Sequence, residues 1–526
     1  MTNITTDLIA EIKPMVFDLA AGAPRHLAHC RYADLRVEAV EGKVAVAENG
    51  ASKSASEDYG FSFGVRILAG ERSVAPGYFG QSLGTADLPH LAEILTAGLE
   101  HAYRRAMANA EWKANARGKF GPLGESLWDT RLHPVRAVTD VVPAIFEVDP
   151  RAVRLEEISR LAVDVSKEVA SSHDDVKYNV IVAYTLLSRE LFCSSEGANI
   201  DQSFSLTQGM CYVVAVADGV SEELYDVLGH QRGWEILLRG VDHALIKFPP
   251  FRQFALDLAR EAVDLAHAPA LPTTDKEVVV VTDPHYNTLV SHEIIGHPVE
   301  LDRVLKMETA YAGRSWLLRN LDEHQVGKPV ASPLVTAYSD PSLPGYGHYT
   351  YDHEGTPGQR IVHIENGIFK GFMNSRQTAA IFGGNPNGHW KATDSALVPL
   401  IRMSTTVFGK GNRDPRDIIK EVDHGYYLVG HRIPSIAESR ENFRISARKV
   451  YEIRNGEPGR LYRDGGIMAD TKDYLMKVDA VGTDFLIYPI PNCGKGQPMQ
   501  TKRLGNGGPT MRSRARLTGA VIGSME

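Results

Sequence analysis

The amino-acid sequence predicts an α+β protein, with a mixed α/β N-terminal half and a β-rich C-terminal half carrying one metal-binding helix. Three observations lead there. Apolar and polar residues alternate over residues 32–66, as half-buried antiparallel strands require, and 178–189, 191–194 and 203–217 also resemble strands, with helical segments between the two regions. Beyond residue 273, Asn366-Gly367 and Asn455-Gly456 each separate two short apolar runs, the pattern of two-residue hairpin turns. Finally, Val278-Val279-Val280-Val281 leads into Ser291-His292-Glu293-Ile294-Ile295-Gly296-His297-Pro298, which combines two imidazoles and a carboxylate.

Taken in order, residues 6–21 have the spacing of a short amphipathic helix. The strands of 32–66 follow, with turns expected at Gly42-Lys43 and Asn49-Gly50. Asp87-Leu88-Pro89 opens a helix running to about residue 116, with aspartate as cap and proline in the first turn. Residues 118–149 are rich in Gly and Pro and read as a linker, and 156–171 as a helix. Strands of a second small sheet are expected at 178–189, 191–194 and 203–217, with a turn at Ser195-Glu196-Gly197-Ala198, then helices at 221–229 and 251–267. Ala268-Pro269-Ala270-Leu271-Pro272-Thr273 marks a boundary. From residue 332 the chain reads as strand and turn, with one helix near 415–422. The expected domains are 1–130, 131–270 (which can form one unit with the first) and 271–526.

Composition excludes several classes. Of the 526 residues 43% are hydrophobic and 23% charged, with net charge −8, so a nucleic-acid surface is not expected. Lys502, Arg503, Arg512, Arg514 and Arg516 read as a solvated strand face. No apolar run reaches the length of a membrane span, and the first residues lack a signal-peptide core. Cys30, Cys193, Cys211 and Cys493 are too scattered for a disulfide framework, so a cytoplasmic protein is expected. No strand–G-x-G-x-x-G–helix fingerprint is present, which argues against a nucleotide-dependent oxidoreductase.

The spacing H-E-x-x-x-H decides the local geometry. Imidazoles are zinc donors, and a neighbouring carboxylate can act as general base. On an ideal α-helix, positions i and i+5 are about 140° apart. Both histidines can face one metal only if the helix widens or breaks. Gly296 tolerates unusual dihedrals and Pro298 opposes helical continuation, so a π-bulge or break is predicted at residues 295–297. A third ligand is needed, and the candidates are Glu300, Asp302, His353, Glu354 and Cys493. Cys493 lies in the Gly-rich stretch Pro491-Asn492-Cys493-Gly494-Lys495-Gly496-Gln497, where Lys495 is expected to favour the thiolate. Glu354 to Gln359 reads as a type II turn centred on Pro357-Gly358.

These stretches, with Glu354-Gly355-Thr356-Pro357-Gly358-Gln359, Ile364-Glu365-Asn366-Gly367-Ile368-Phe369-Lys370-Gly371, and Cys493-Gly494-Lys495 followed by Gly508-Pro509-Thr510, resemble the TldD/PmbA family of zinc peptidases in order and separation. The resemblance is to the TldD branch, which keeps its metal motif. It implies zinc (Zn2+) held by His292, His297 and Cys493, and Glu293 as general base. It further implies unfolded or extended peptide substrates, and a dimer formed with a metal-free PmbA/TldE-like paralogue or with a second copy. Glu354 and Arg402 are candidate substrate-binding residues, the latter through bidentate contact to a carbonyl or carboxylate. The chain departs from the family pattern at the Gly496 position, where the cysteine loop is one residue shorter, at Ser404-Thr405 and at His353. Such changes are expected of a divergent subgroup with its own substrate or partner. The competing readings are a deformylase- or amidase-like hydrolase of small amides, and a non-enzymatic peptide-binding subunit with structural zinc.

Overall fold

Period-two alternation builds the first sheet, and in a computed structural model, which describes residues 4–120, 129–310 and 313–520, that sheet spans the whole N-terminal half. Its strands are β1 (Cys30–Glu48), β2 (Ala51–Ala69), β3 (Ala75–Leu83), β4 (Thr139–Val142), β5 (Val176–Ser194), β6 (Asn199–Ala217) and β7 (Val220–His230). The order is β3-β2-β1-β5-β6-β4, with β7 on the other half of the same β6 edge. Strands from the first two expected domains therefore share one sheet, and those expected to form a second small sheet instead extend the first, because β5 pairs with β1.

One face of the sheet is apolar. Leu35, Val37, Phe63 and Val65 pack against the helices Leu8–His26 and Leu91–Phe120. Ile181, Val213 and Leu224 pack against the helices Leu155–Ser171 and Phe251–Ala266. The other face is polar yet also buried: Asp34, Arg36, Glu38 and Arg66 are almost wholly covered. It meets the C-terminal half through Arg36 donating to Leu397 O at 3.1 Å, Arg66 paired with Glu354 at 2.6 Å, and Gln202 donating to Tyr351 O at 2.9 Å. Alternation was legible because this face is built of ion pairs rather than a second apolar layer.

In the C-terminal half, strand Glu277–Thr282 pairs in parallel with His424–Ile436 and antiparallel with Met511–Thr518. Asn442–Arg454 and Gly466–Asp470 complete a closed circuit of five strands. A second sheet runs Ile368–Phe369, Ile361–Glu365, Ala337–Ser339, Thr405–Phe408, Gln500–Gly508, Leu486–Lys495. Both predicted Asn-Gly hairpins form, with φ of 48° and 82° at Asn366-Gly367 and 52° and 80° at Asn455-Gly456. Among the described residues no helix is long and apolar enough to cross a membrane.

Several expectations are corrected. Residues 221–229 are strand β7 rather than a helix; the preceding Asp218-Gly219 adopts the positive φ of a hairpin turn (51° and 81°), and the exposed half of the β6 edge supplies the partner. Gly42-Lys43 makes no turn, because β1 runs straight through it, and 178–194 is one strand. Of the expected linker, residues 121–128 lie outside the described residues, and 139–142 form β4. The type II turn at Pro357-Gly358 is absent: the glycine with positive φ is Gly355, at 69°. There the Asp352 carboxylate accepts from the amides of Glu354 and Thr356, each at 2.9 Å, and bends the chain two residues earlier. Short helices at Arg376–Phe382 and Thr471–Met476 accompany the expected one at Pro415–Lys420.

Candidate metal centre

The central helix begins where its strand ends. Asp283 caps it by accepting from the Tyr286 amide at 2.6 Å, and Pro284 occupies the first turn, where its missing N–H costs nothing. The α-helix runs over Pro284–Val290, widens into a π-helical turn at Ser291–Gly296, and tightens into a 3-10 turn at His297–Val299. The widening begins four residues earlier than predicted. The His297 amide donates to the His292 carbonyl, the i→i+5 bond of a π-turn. The two rings consequently lie on one face, their centroids 4.7 Å apart and their planes at 85°.

Cys493 reaches them from the strand Leu486–Lys495, with Sγ 3.5 Å from His297 Nε2. One ligand atom from each of His292, His297 and Cys493 lies within 4.8 Å of the others, and all three residues are buried. Each imidazole is oriented from behind. His292 Nδ1 lies 3.1 Å from Asn506 Oδ1, on the neighbouring strand Gln500–Gly508, and His297 Nδ1 lies 3.1 Å from Glu300 Oε2. With the Nδ1 atoms so engaged, both Nε2 atoms are left for a metal, the arrangement by which outer partners fix ligand tautomers. Burial alone would push the Cys493 thiol up, but His297, His292 and Arg402 outweigh it and hold the thiol well below its ordinary value. Burial likewise opposes charge on His292, yet the Cys493 sulfur and Glu293 raise that imidazole to about 9. A thiolate beside two inward-facing imidazoles is a donor set that would suit zinc.

The remaining candidates for third ligand are engaged elsewhere. Glu300 Oε2 also accepts from Arg303 at 2.7 Å and lies 3.3 Å from Lys495. Asp302 accepts from Lys495 at 2.7 Å, and His353 Nε2 meets Glu190 at 3.0 Å. Lys495 is thereby corrected as the thiolate's supporting charge, since its ammonium is turned to Asp302 and the Ile401 carbonyl. Nor does the structure turn Glu354 or Arg402 towards a substrate. Glu354, 1% exposed, pairs with Arg66 at 2.6 Å and accepts the Arg376 amide at 2.7 Å, clamping the two halves together. Arg402, also 1% exposed, donates to the Cys493 carbonyl and to Gln500 O at 3.1 Å, and so holds the cysteine strand in place.

Glu293 follows His292 and lies at the edge of the cluster, 9% exposed. Burial raises its pKa, but His292, His297 and Arg440 outweigh this and lower it, keeping the carboxylate ionised. Arg440 and Asn506 were not identified from sequence. Both lie far from residue 292 in the chain, and no motif marks them. Only the pairing of Leu486–Lys495 with Gln500–Gly508, and the bend after Ile436, bring them in.

Comparison with known proteins places these features in context. Residues 148–268 match the model of the PmbA/TldA metallopeptidase central domain, and residues 275–517 that of the PmbA/TldA metallopeptidase C-terminal domain. The chain is 26% identical to Metalloprotease MJ0996 of Methanocaldococcus jannaschii, over 92% of this chain and 96% of that protein. It is also 26% identical to a protein named Zinc metalloprotease TldD homolog from Saccharolobus solfataricus, over 68% of this chain and 75% of the relative. In fold it is similar to the crystal structure of TldE from Thermococcus kodakarensis, with TM-score 0.70, 18% identity, and 96% and 100% of the two chains covered.

Proposed function

The chain belongs to the TldD/PmbA family of metallopeptidases, and on that premise we propose that it hydrolyses peptide bonds of unfolded or extended peptides at a zinc centre formed by His292, His297 and Cys493. The observation that carries this reading is the convergence of those three donors within 4.8 Å beside the carboxylate of Glu293. A relative named as a zinc metalloprotease supports the choice of metal. The protein acts as a TldD-like subunit of a dimer, with a PmbA/TldE-like paralogue or a second copy as partner; its likeness in fold to a TldE supports a partner of related shape.

When bound, zinc supplies Lewis acidity, polarising the scissile carbonyl and making water nucleophilic near neutral pH. The chain's own residues do the rest. Glu293 accepts the proton lost by the attacking water as the new C–O bond forms, then delivers it to the amide nitrogen as the C–N bond breaks, so that a carboxylate and an amine leave. Asn506 and Glu300 keep the imidazoles from rotating, and Arg402 fixes the backbone from which the thiolate projects.

The test is metal content by mass spectrometry, together with cleavage of an unfolded peptide, for wild type, Cys493→Ser and Glu293→Gln. The expected result is one zinc per wild-type chain, loss of zinc in Cys493→Ser, and full zinc without turnover in Glu293→Gln. Full zinc in Cys493→Ser overturns the ligand set; no metal in folded wild type overturns the zinc peptidase reading.

A further inference from the structure

The bend between the strands His424–Ile436 and Asn442–Arg454 holds an arginine in an unusual conformation. Arg440 has φ of 65°, the left-handed region, although glycine or asparagine is the ordinary occupant there. The bend is tightly fixed. The Arg440 amide donates to Ala437 O at 2.9 Å, and Thr471 Oγ1 donates to the Arg440 carbonyl at 2.8 Å. Its side chain is only 8% exposed and reaches back to the centre, where Nη1 donates to Glu293 Oε2. Among the described residues no other group donates to the Glu293 carboxylate, so one oxygen is pinned and Oε1 is left unengaged.

We propose that Arg440 is the positioning residue for Glu293, retained in a strained bend because its guanidinium fixes the carboxylate by one oxygen and leaves the other to carry the proton. Backbone strain of this kind persists where the surroundings over-determine it, as the Ala437 and Thr471 bonds do here. A free carboxylate samples several rotamers, whereas one held from the side presents a single oxygen in a single direction. The proposal rests on the reading of Glu293 as general base. Arg440 itself need touch neither metal nor substrate.

Arg440→Gly is the informative variant, because glycine suits the left-handed backbone and removes only the side chain. In the zinc-loaded protein it is expected to lower kcat for an unfolded peptide about 100-fold, the scale of a misplaced catalytic group. KM and zinc content should stay within twofold of wild type, Arg440→Lys should recover part of kcat, and added guanidinium ion should partly rescue Arg440→Gly. Turnover of Arg440→Gly within threefold of wild type overturns the proposal, and so does a loss that is all in KM or in zinc content. The pairing is also judged without turnover, from melting temperatures. Arg440→Gly should lower Tm more in the wild-type background, where it strands a buried carboxylate, than in Glu293→Gln, where the charged partner is already gone. Equal shifts in both backgrounds overturn the proposal. If wild type cleaves nothing, the peptidase reading fails on that result, and this cycle alone decides whether Arg440 holds Glu293.

Discussion

The His297 amide is bonded to the His292 carbonyl, so the two imidazole-bearing residues are joined by the same i→i+5 step that brings their rings to 4.7 Å. The turn is held by its packing. A Cβ on Gly296 would lie 1.9 Å from Met403 Sδ, which is buried against the turn. Gly296→Ala must therefore displace Met403 or tighten the turn. The expected outcome is zinc affinity about 10-fold or more weaker, measured by chelator competition. Adding Met403→Ala should restore part of it.

Asn506 and Glu300 orient one imidazole each but differ in surroundings. Asn506→Ala should weaken zinc binding by about 10- to 100-fold and, because Asn506 Nδ2 donates to the buried Thr406 carbonyl at 2.9 Å, cost the zinc-free protein about 1–3 kcal/mol. Glu300→Gln removes the charge facing Arg303 and Lys495, both fully buried. It should weaken zinc binding similarly and also destabilise the fold by about 3–5 kcal/mol, read from urea unfolding.

The two halves meet along a row across the first sheet. Arg36 is paired with Gly64, and Gly64 with Gly80. A Cβ at Gly64 would stand 2.0 Å from Ser395 O, and one at Gly80 1.8 Å from Ala396 O. Both obstacles are backbone, which cannot rotate away. Gly64→Ala and Gly80→Ala should each cost about 1–3 kcal/mol in urea unfolding.

Acid should unfold the protein through its buried histidines. Burial pushes His353 and His389 down to about 3 and His363 to about 4. An unfolded histidine titrates near about 6.5, so below that pH the unfolded chain binds protons that the folded chain refuses. Their contribution is complete above pH ~6.5 and is lost as pH falls towards these folded values, at about 1.4 kcal/mol per pH unit for each. Urea midpoints measured between pH ~7.5 and ~4.5 should fall accordingly, and His389→Gln should reduce the slope by about one histidine's share.

Strand alternation, the Asn-Gly turns and the need for a widened helix at H-E-x-x-x-H were all legible locally, because each depends on a few neighbouring side chains and fixed backbone geometry. The misreading of β7 shows the limit. Ser221-Glu222-Glu223 looks like a helix start, but the open β6 edge beside it took the segment as a strand. Glu354 and Arg402 show the same limit: the partners that hold them, Arg66 and the Cys493 carbonyl, are far away in sequence.

By itself, then, the sequence determined that two histidines could share a face only on a distorted helix, and that Asn366-Gly367 and Asn455-Gly456 turn hairpins. Tertiary structure decided which distant groups reach it: Cys493 and Asn506 from paired strands, Arg440 from a strained bend, and the ion pairs that bury the polar face of the first sheet. The physical reason is range. Dihedral preferences and side-chain periodicity act over a few residues, whereas hydrogen bonds and ion pairs in a buried site are set by strand register and packing between segments hundreds of residues apart.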